Sequence, residues 1–305
     1  MAVPFAFGCV YFFWGSTYTA IKVGVQYLHP LVLGGTRFLV AGLLLLAFCR
    51  MRGIKVLLPR RELGWLTVVG LLLLVGGNIG LVYGEKYVAS GLAALLFAVM
   101  PLYVAVINMF LPRGEKLPAR GWLGLALGFI GLIALLWHGM RGPVAERAGE
   151  AAGSIVILLA ALFWAAGSVL SRELKLPVNP MLAAGWEMVA AGVASSLAGI
   201  FVGGWSSAQW TRSSIGAVAY LITFGSLIGY SAFVWLLAHV PVSKVATNTY
   251  VNPVVAVILG AILLGEHLVA TEYLGMAAIV IAVVLVTSSR IASEAQKPKP
   301  EMVKV

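Results

Sequence analysis

The feature that most limits what this chain can become is the length of its apolar runs. Gly64 to Val82 and Ile279 to Val286 contain no charged residue, and comparable blocks recur along the 305-residue sequence. A helix needs about 20 mainly apolar residues to cross a hydrocarbon core of about 30 Å. On that criterion the sequence predicts ten spans, roughly residues 3–23, 30–49, 64–83, 88–111, 119–138, 152–172, 180–204, 215–238, 241–264 and 271–288. Composition agrees: 61% of residues are hydrophobic and 10% are charged, against about 25% charged in a soluble domain. The predicted fold class is an all-α integral membrane protein with ten transmembrane helices, and an ordinary soluble enzyme is excluded.

The charges that remain carry topology. Cytoplasmic loops of membrane proteins collect Lys and Arg. Fourteen basic residues, from Arg50 and Arg52 through Arg172 and Lys175 to Lys299 and Lys304, fall on the side that also holds both termini. Five, Lys22, Lys86, Arg141, Arg147 and Arg212, fall on the other. Both termini are therefore expected in the cytoplasm. The net charge of +10 is distributed between apolar blocks, without the contiguous basic surface that nucleic-acid binding requires, so no nucleic-acid partner is expected. Cys9 and Cys49 lie inside apolar blocks and read as small core residues. The N-terminus lacks a basic stretch and cleavage site, so the first span is expected to be retained.

Sliding the sequence against itself by about 150 residues aligns its two halves. Phe13-Trp14 meets Phe163-Trp164, Pro30 meets Pro180, and Ala41-Gly42 meets Ala191-Gly192. Further along, Pro101 meets Pro253, Gly114-Glu115 meets Gly265-Glu266, and Leu123-Gly124 meets Leu274-Gly275. The repeats run over 1–140 and 152–289, with 290–305 expected as a disordered cytoplasmic tail. Each half holds five spans, an odd number, so the second must enter the membrane in the opposite sense. Inverted repeats of this kind underlie alternating access in secondary transporters.

Residues that are costly in lipid mark candidate functional positions. Pro101 and Pro253 lie mid-span, where each removes a backbone donor; a plain kink and a kink that shapes a cavity are both open. Asn248 and Asn252 share one helix face, and with Asn78 and Asn108 they point either to a wet cavity or to hydrogen bonds between helices. Trp14 and Trp164 sit mid-span at repeat-equivalent positions, with Tyr18 one turn after Trp14; Tyr103 and Tyr230 are weaker candidates of the same type. These aromatics fit core packing or the wall of a substrate cavity. Arg37 and Glu187 are also repeat-equivalent, each about 10 Å deep from opposite faces. They are not expected to form a simple ion pair, and Arg37 could reach outward along its stem. Buried ionisable groups are candidates for gating or coupling. No zinc-type His-Glu-x-x-His, phosphate-binding loop or dinucleotide fingerprint occurs, so no catalytic residue, metal or cofactor is expected.

These motifs resemble those of the EamA family within the drug/metabolite transporter superfamily. The resemblance is carried by Phe13-Trp14-Gly15-Ser16 with Lys22, Arg37-Phe38-Leu39, Tyr87-Val88-Ala89-Ser90, Pro101-Leu102 and Gly114-Glu115. In the second half it rests on Pro253-Val254, Leu263-Leu264-Gly265-Glu266 and Leu274-Gly275. The second half departs from the pattern, with Ala165-Ala166 in place of Gly15-Ser16 and Glu187 in place of Arg37. The resemblance implies two inverted five-helix repeats around a cavity lined by spans 1, 3, 4, 6, 8 and 9. It implies export of amino acids or other small metabolites across a bacterial inner membrane. The expected partners are the bilayer and the solute, and the expected assembly is a monomer or weak homodimer. Within that reading Trp14, Tyr18, Asn78, Tyr103, Trp164, Tyr230, Asn248 and Asn252 are the expected substrate-binding residues. Arg37, Glu187, Pro101 and Pro253 are expected to serve gating or coupling. A nucleotide-sugar or phosphate-metabolite antiporter and a passive channel are the alternatives.

Overall fold

The computed structural model describes residues 2–111, 119–139, 144–245, 248–266 and 270–295. Ten helices follow one another, and no strand occurs among the described residues. We label them α1 (Val3–Gly24), α2 (Pro30–Met51), α3 (Arg60–Gly84), α4 (Ser90–Phe110) and α5 (Ala119–Gly139) in the first half. The second half contains α6 (Val144–Leu174), α7 (Pro180–Phe201), α8 (Arg212–His239), α9 and α10 (Ala270–Ala295). Helix α9 comprises Val242–Val245 and Asn248–Leu264. Among the described residues, six helices are individually long and apolar enough to cross a bilayer: α2, α3, α4, α6, α7 and α8.

The duplication is legible in the helix starts. Pro30 and Pro180 each occupy the first turn of their helix, where the missing N–H has no helical partner to lose. The residue before each proline caps the same turn. His29 Nδ1 accepts from the Leu31 amide at 3.4 Å, and Asn179 Oδ1 accepts from the Met181 amide at 2.9 Å. The helix ends are matched as well. Lys22 Nζ donates to the carbonyls of Glu85 (2.7 Å) and Val88 (2.6 Å), while Arg172 donates to those of Leu237 (2.7 Å) and Val240 (2.9 Å). Each cation satisfies carbonyls that a helix end leaves without partners. The two clamps close opposite ends of the bundle.

Packing between the halves depends on small residues. Helices α2 and α7 lie against each other, as do α5 and α10. At the first seam, a Cβ on Gly42 would sit 2.7 Å from the Val189 amide nitrogen, and one on Gly192 would strike that of Leu39. Only glycine permits this backbone approach, which supplies dispersion where lipid offers no hydrophobic drive.

Two features depart from the pattern the sequence predicts. The middle of α3 (Leu71–Ile79) and of α8 (Leu221–Tyr230) is π-helical, and the two segments occupy equivalent places in the repeats. Helix α10 continues to Ala295, so residues 290–295 are helical rather than part of a disordered tail; residues 296–305 lie outside the described set. Arg290, Ala292, Glu294 and Ala295 are all compatible with a helix, and the first proline after the span is Pro298.

Candidate functional site

Where the halves meet, α1, α2, α3, α4, α6, α8 and α9 surround a cavity, part of it open to the outside. Its centre is aromatic. Trp14 and Trp164 meet edge to face, ring centroids 5.3 Å apart at 89°, and Phe97, Tyr230 and Phe233 pack around Trp164 at 5.5–6.4 Å. Each tryptophan rests on a glycine from a π-helical segment of the other half. A Cβ on Gly229 would lie 2.5 Å from Trp14 Nε1, and one on Gly77 would lie 2.8 Å from the Trp164 ring. The indole of Trp14 donates to the Gly225 carbonyl at 3.0 Å. A π-helical turn disturbs the regular i→i−4 bonding, and here Gly225 offers a carbonyl to a side chain on another helix.

The polar lining is sparse and of two kinds. Arg37 is 3% exposed and points inward. Its Nε donates to Ser226 Oγ at 2.8 Å, its Nη1 donates to Asn78 Oδ1 at 3.3 Å, and its guanidinium carbon lies 4.9 Å from the centroid of the Phe38 ring. On α9, Asn252 in its satisfied orientation donates to the carbonyls of Tyr11 (3.1 Å) and Asn248 (3.2 Å). Asn252 therefore ties α9 to α1 as well as facing the cavity. Asn248 is also buried, and its Oδ1 has no hydrogen-bond partner among the described residues.

Of the residues the sequence singled out, Trp14, Tyr18, Arg37, Asn78, Trp164, Tyr230, Asn248, Asn252 and Pro253 line this cavity. Tyr103 and Pro101 do not line it. The reason is a break in α4: the helix stops at Phe97 and restarts at Met100. The cavity-facing residues are Ala94, Phe97, Ala98 and Met100, and beyond them Met100–Phe110 packs against α6. Proline at the head of that segment fits a helix start, so Pro101 begins a helix instead of bending one.

Glu187 is 1% exposed and accepts from Tyr230 Oη at 2.7 Å. Glu187 lines a second space, opening at the end of the bundle where α6 and α8 finish and α7 begins. Tyr230 lines the first cavity and Glu187 the second, so one hydrogen-bonded pair stands between the two spaces.

Two acidic residues act at the opposite end. Glu266, just after α9, accepts from the Ser90 amide (3.0 Å to each oxygen), from Ser90 Oγ (2.6 Å) and from the Gly91 amide (3.4 Å). It caps α4 of the other half, while Gly265 at φ 66° turns the chain out of α9. Glu85 follows α3 and is fully buried, with neither carboxyl oxygen hydrogen-bonded among the described residues. Burial holds its carboxyl well above the usual carboxylate range; Lys22 opposes that, Glu266 adds to it and Arg37 opposes it. Sequence reasoning passed over Glu85, which sits between two apolar blocks like any loop acid.

The sequence profile of the EamA-like transporter family matches this chain twice, over residues 2–137 and 151–288. The chain belongs to the EamA-like transporter family. The inner membrane transporter YedA of Escherichia coli is 41% identical over 279 residues, covering 91% of this chain and 88% of that protein. The transporter YvbV of Bacillus subtilis is 27% identical over 289 residues, covering 93% and 90%. A solved crystal structure covers 97% of this chain and 99% of its own at a TM-score of 0.68 and 21% identity, which is a likeness of fold. This EamA chain is thus similar, over nearly its whole length, to transporters of the membrane.

Proposed function

We propose that this chain is a secondary transporter that exports small metabolites, amino acids or related compounds, by alternating access across a bacterial inner membrane. The observation that carries the reading is the cavity between inverted halves, closed from a second space by the Tyr230–Glu187 pair. Binding sites at repeat interfaces near mid-membrane are characteristic of such carriers. Trp14, Tyr18, Trp164 and Tyr230 supply apolar faces, and Asn78, Asn248 and Asn252 supply amides. The Glu187–Tyr230 pair acts as the inner gate. The interrupted α4, Pro253 in α9 and the two π-helical segments are the places where helices flex as one half rocks against the other. With both termini cytoplasmic, as the basic residues favour, the second space faces the cytoplasm. The similarity to the inner membrane transporter YedA supports this location.

A passive channel is disfavoured because the pair interrupts the path. A phosphate-metabolite antiporter is disfavoured because, among the described residues, Arg37 is the one basic residue lining the central cavity. Reconstituted protein assayed for flux of a radiolabelled amino-acid panel tests the proposal. The double variant Asn248→Ala/Trp164→Ala is expected to lose transport; transport at the native rate would refute the site.

A further inference from the structure

The cavity contains a cation that the protein does not neutralise. Taking a charge out of water is costly unless it is paired, and at membrane depth such a residue faces the protein interior and pairs. Among the described residues, Arg37 is held by the neutral acceptors Ser226 and Asn78. No carboxylate of the described residues lies within the 4.0 Å of an ion pair with it. Glu187 is engaged by Tyr230. Glu85 acts on Arg37 from further away, and its burial favours the neutral acid. The hydrogen bonds of the guanidinium run from Nε and Nη1, and Gly225 leaves Nη2 room: a Cβ there would lie 2.7 Å from it.

We infer that Arg37 is the anion-binding element of the central cavity and that the transported solute carries a single carboxylate beside an apolar or aromatic body. This rests on the transporter reading above. Two side-chain acceptors and the Phe38 ring fix the guanidinium plane, leaving a free edge for a planar carboxylate, the geometry that arginine recognises best. One cation favours one negative charge. A phosphate dianion would leave charge uncompensated, since Lys22 and Arg172 are occupied by helix-end carbonyls and neither lines the cavity. The aromatic wall of Trp14, Trp164 and Phe97 suits the solute's body. The unpartnered Asn248 Oδ1 can accept from an ammonium or amide N–H where the solute has one.

The test uses the full-length protein and three probes of one shape: 3-phenylpropionate, its neutral amide, and phenyl phosphate. Binding is read from tryptophan fluorescence and calorimetry. The carboxylate is expected to bind at least about tenfold more tightly than either other probe, as a charge-assisted bidentate contact allows. Arg37→Gln should bring the carboxylate-to-amide ratio close to one, and Arg37→Lys should retain part of it. A native ratio near one, a preference for phenyl phosphate, no binding of the carboxylate, or an unchanged ratio in Arg37→Gln would each overturn the inference. The native ratio decides the matter even where Arg37→Gln fails to fold. Saturable flux without carboxylate preference would overturn this inference alone, whereas carboxylate binding at Arg37 without flux would overturn the transporter reading.

Discussion

Removing the carboxylate of Glu266 should loosen a helix that belongs to the other half of the molecule. Its two oxygens receive the amides of Ser90 and Gly91 and the Ser90 hydroxyl, with the shortest contact at 2.6 Å. These amides belong to the first turn of α4, where helical N–H groups have no internal acceptor. Replacing an N-cap by alanine costs about 0.5–2 kcal/mol, and each buried donor left without an acceptor adds about 1–3 kcal/mol. Ser90 is fully buried, but Glu266 itself is only half-buried, so water would recover part of the loss. Glu266→Ala is therefore expected to destabilise the protein by about 2–4 kcal/mol. Glu266→Gln retains one acceptor oxygen and should cost roughly half as much. Denaturant unfolding in detergent gives the energy, and hydrogen exchange at residues 90–94 locates it. If Glu266→Ala changes stability by less than about 0.5 kcal/mol, the typical scale of a neutral surface substitution, and leaves exchange at 90–94 unaltered, the cross-repeat cap is refuted.

Three further outcomes follow from the same geometry. Gly192→Ala forces a Cβ against the Leu39 backbone and should reduce the yield of folded protein, measured by size-exclusion chromatography, whereas Gly8→Ala, which meets open space, should not. Tyr230→Phe removes the donor to buried Glu187 and should cost about 1–3 kcal/mol while raising passive leak of solute through reconstituted vesicles; a tight, equally stable variant would contradict the gate. His29 should make stability pH-dependent. Burial lowers its pKa from the ordinary 6.5, and Lys86 lowers it further, so the unfolded chain binds the proton more readily. Its contribution is complete above pH 6.5 and is lost as pH falls through the folded-state value, because protonated Nδ1 cannot accept from Leu31. The variant His29→Asn, matching Asn179 in the other repeat, should abolish that part of the acid sensitivity in thermal unfolding curves.

Much of the fold could be read from residues because it rests on one-dimensional signals. Apolar run length marks the helices, and Pro30 and Pro180 mark two of their starts. The aligned positions of Trp14 with Trp164 and Gly42 with Gly192 reveal the duplication. The cavity was legible to the extent that polar or aromatic groups in mid-span have few other places to face, which applies to Asn78, Asn248 and both tryptophans. What escaped sequence reasoning depends on pairing in three dimensions. The α4 break, which leaves Tyr103 outside the cavity, arises from a proline that begins a helix segment, and its residue type alone does not distinguish that from a kink. The π-helical segments carry no signal beyond ordinary-looking glycines, although Gly77 and Gly229 later prove to be where the tryptophans sit. Glu187 finds its donor 43 residues away, and Glu266 caps a helix 176 residues away; neither distance leaves a trace in local pattern. Glu115, the repeat equivalent of Glu266, lies outside the described residues.

The central claim is that two inverted halves carry a solute by exposing one cavity to each side in turn. Counterflow in proteoliposomes tests it most directly, with labelled amino acid outside and unlabelled amino acid inside. The account predicts saturable uptake that accelerates when unlabelled solute is present on the opposite side. Uptake that rises linearly with concentration and ignores the opposite side would contradict it, and would make the cavity part of a pore.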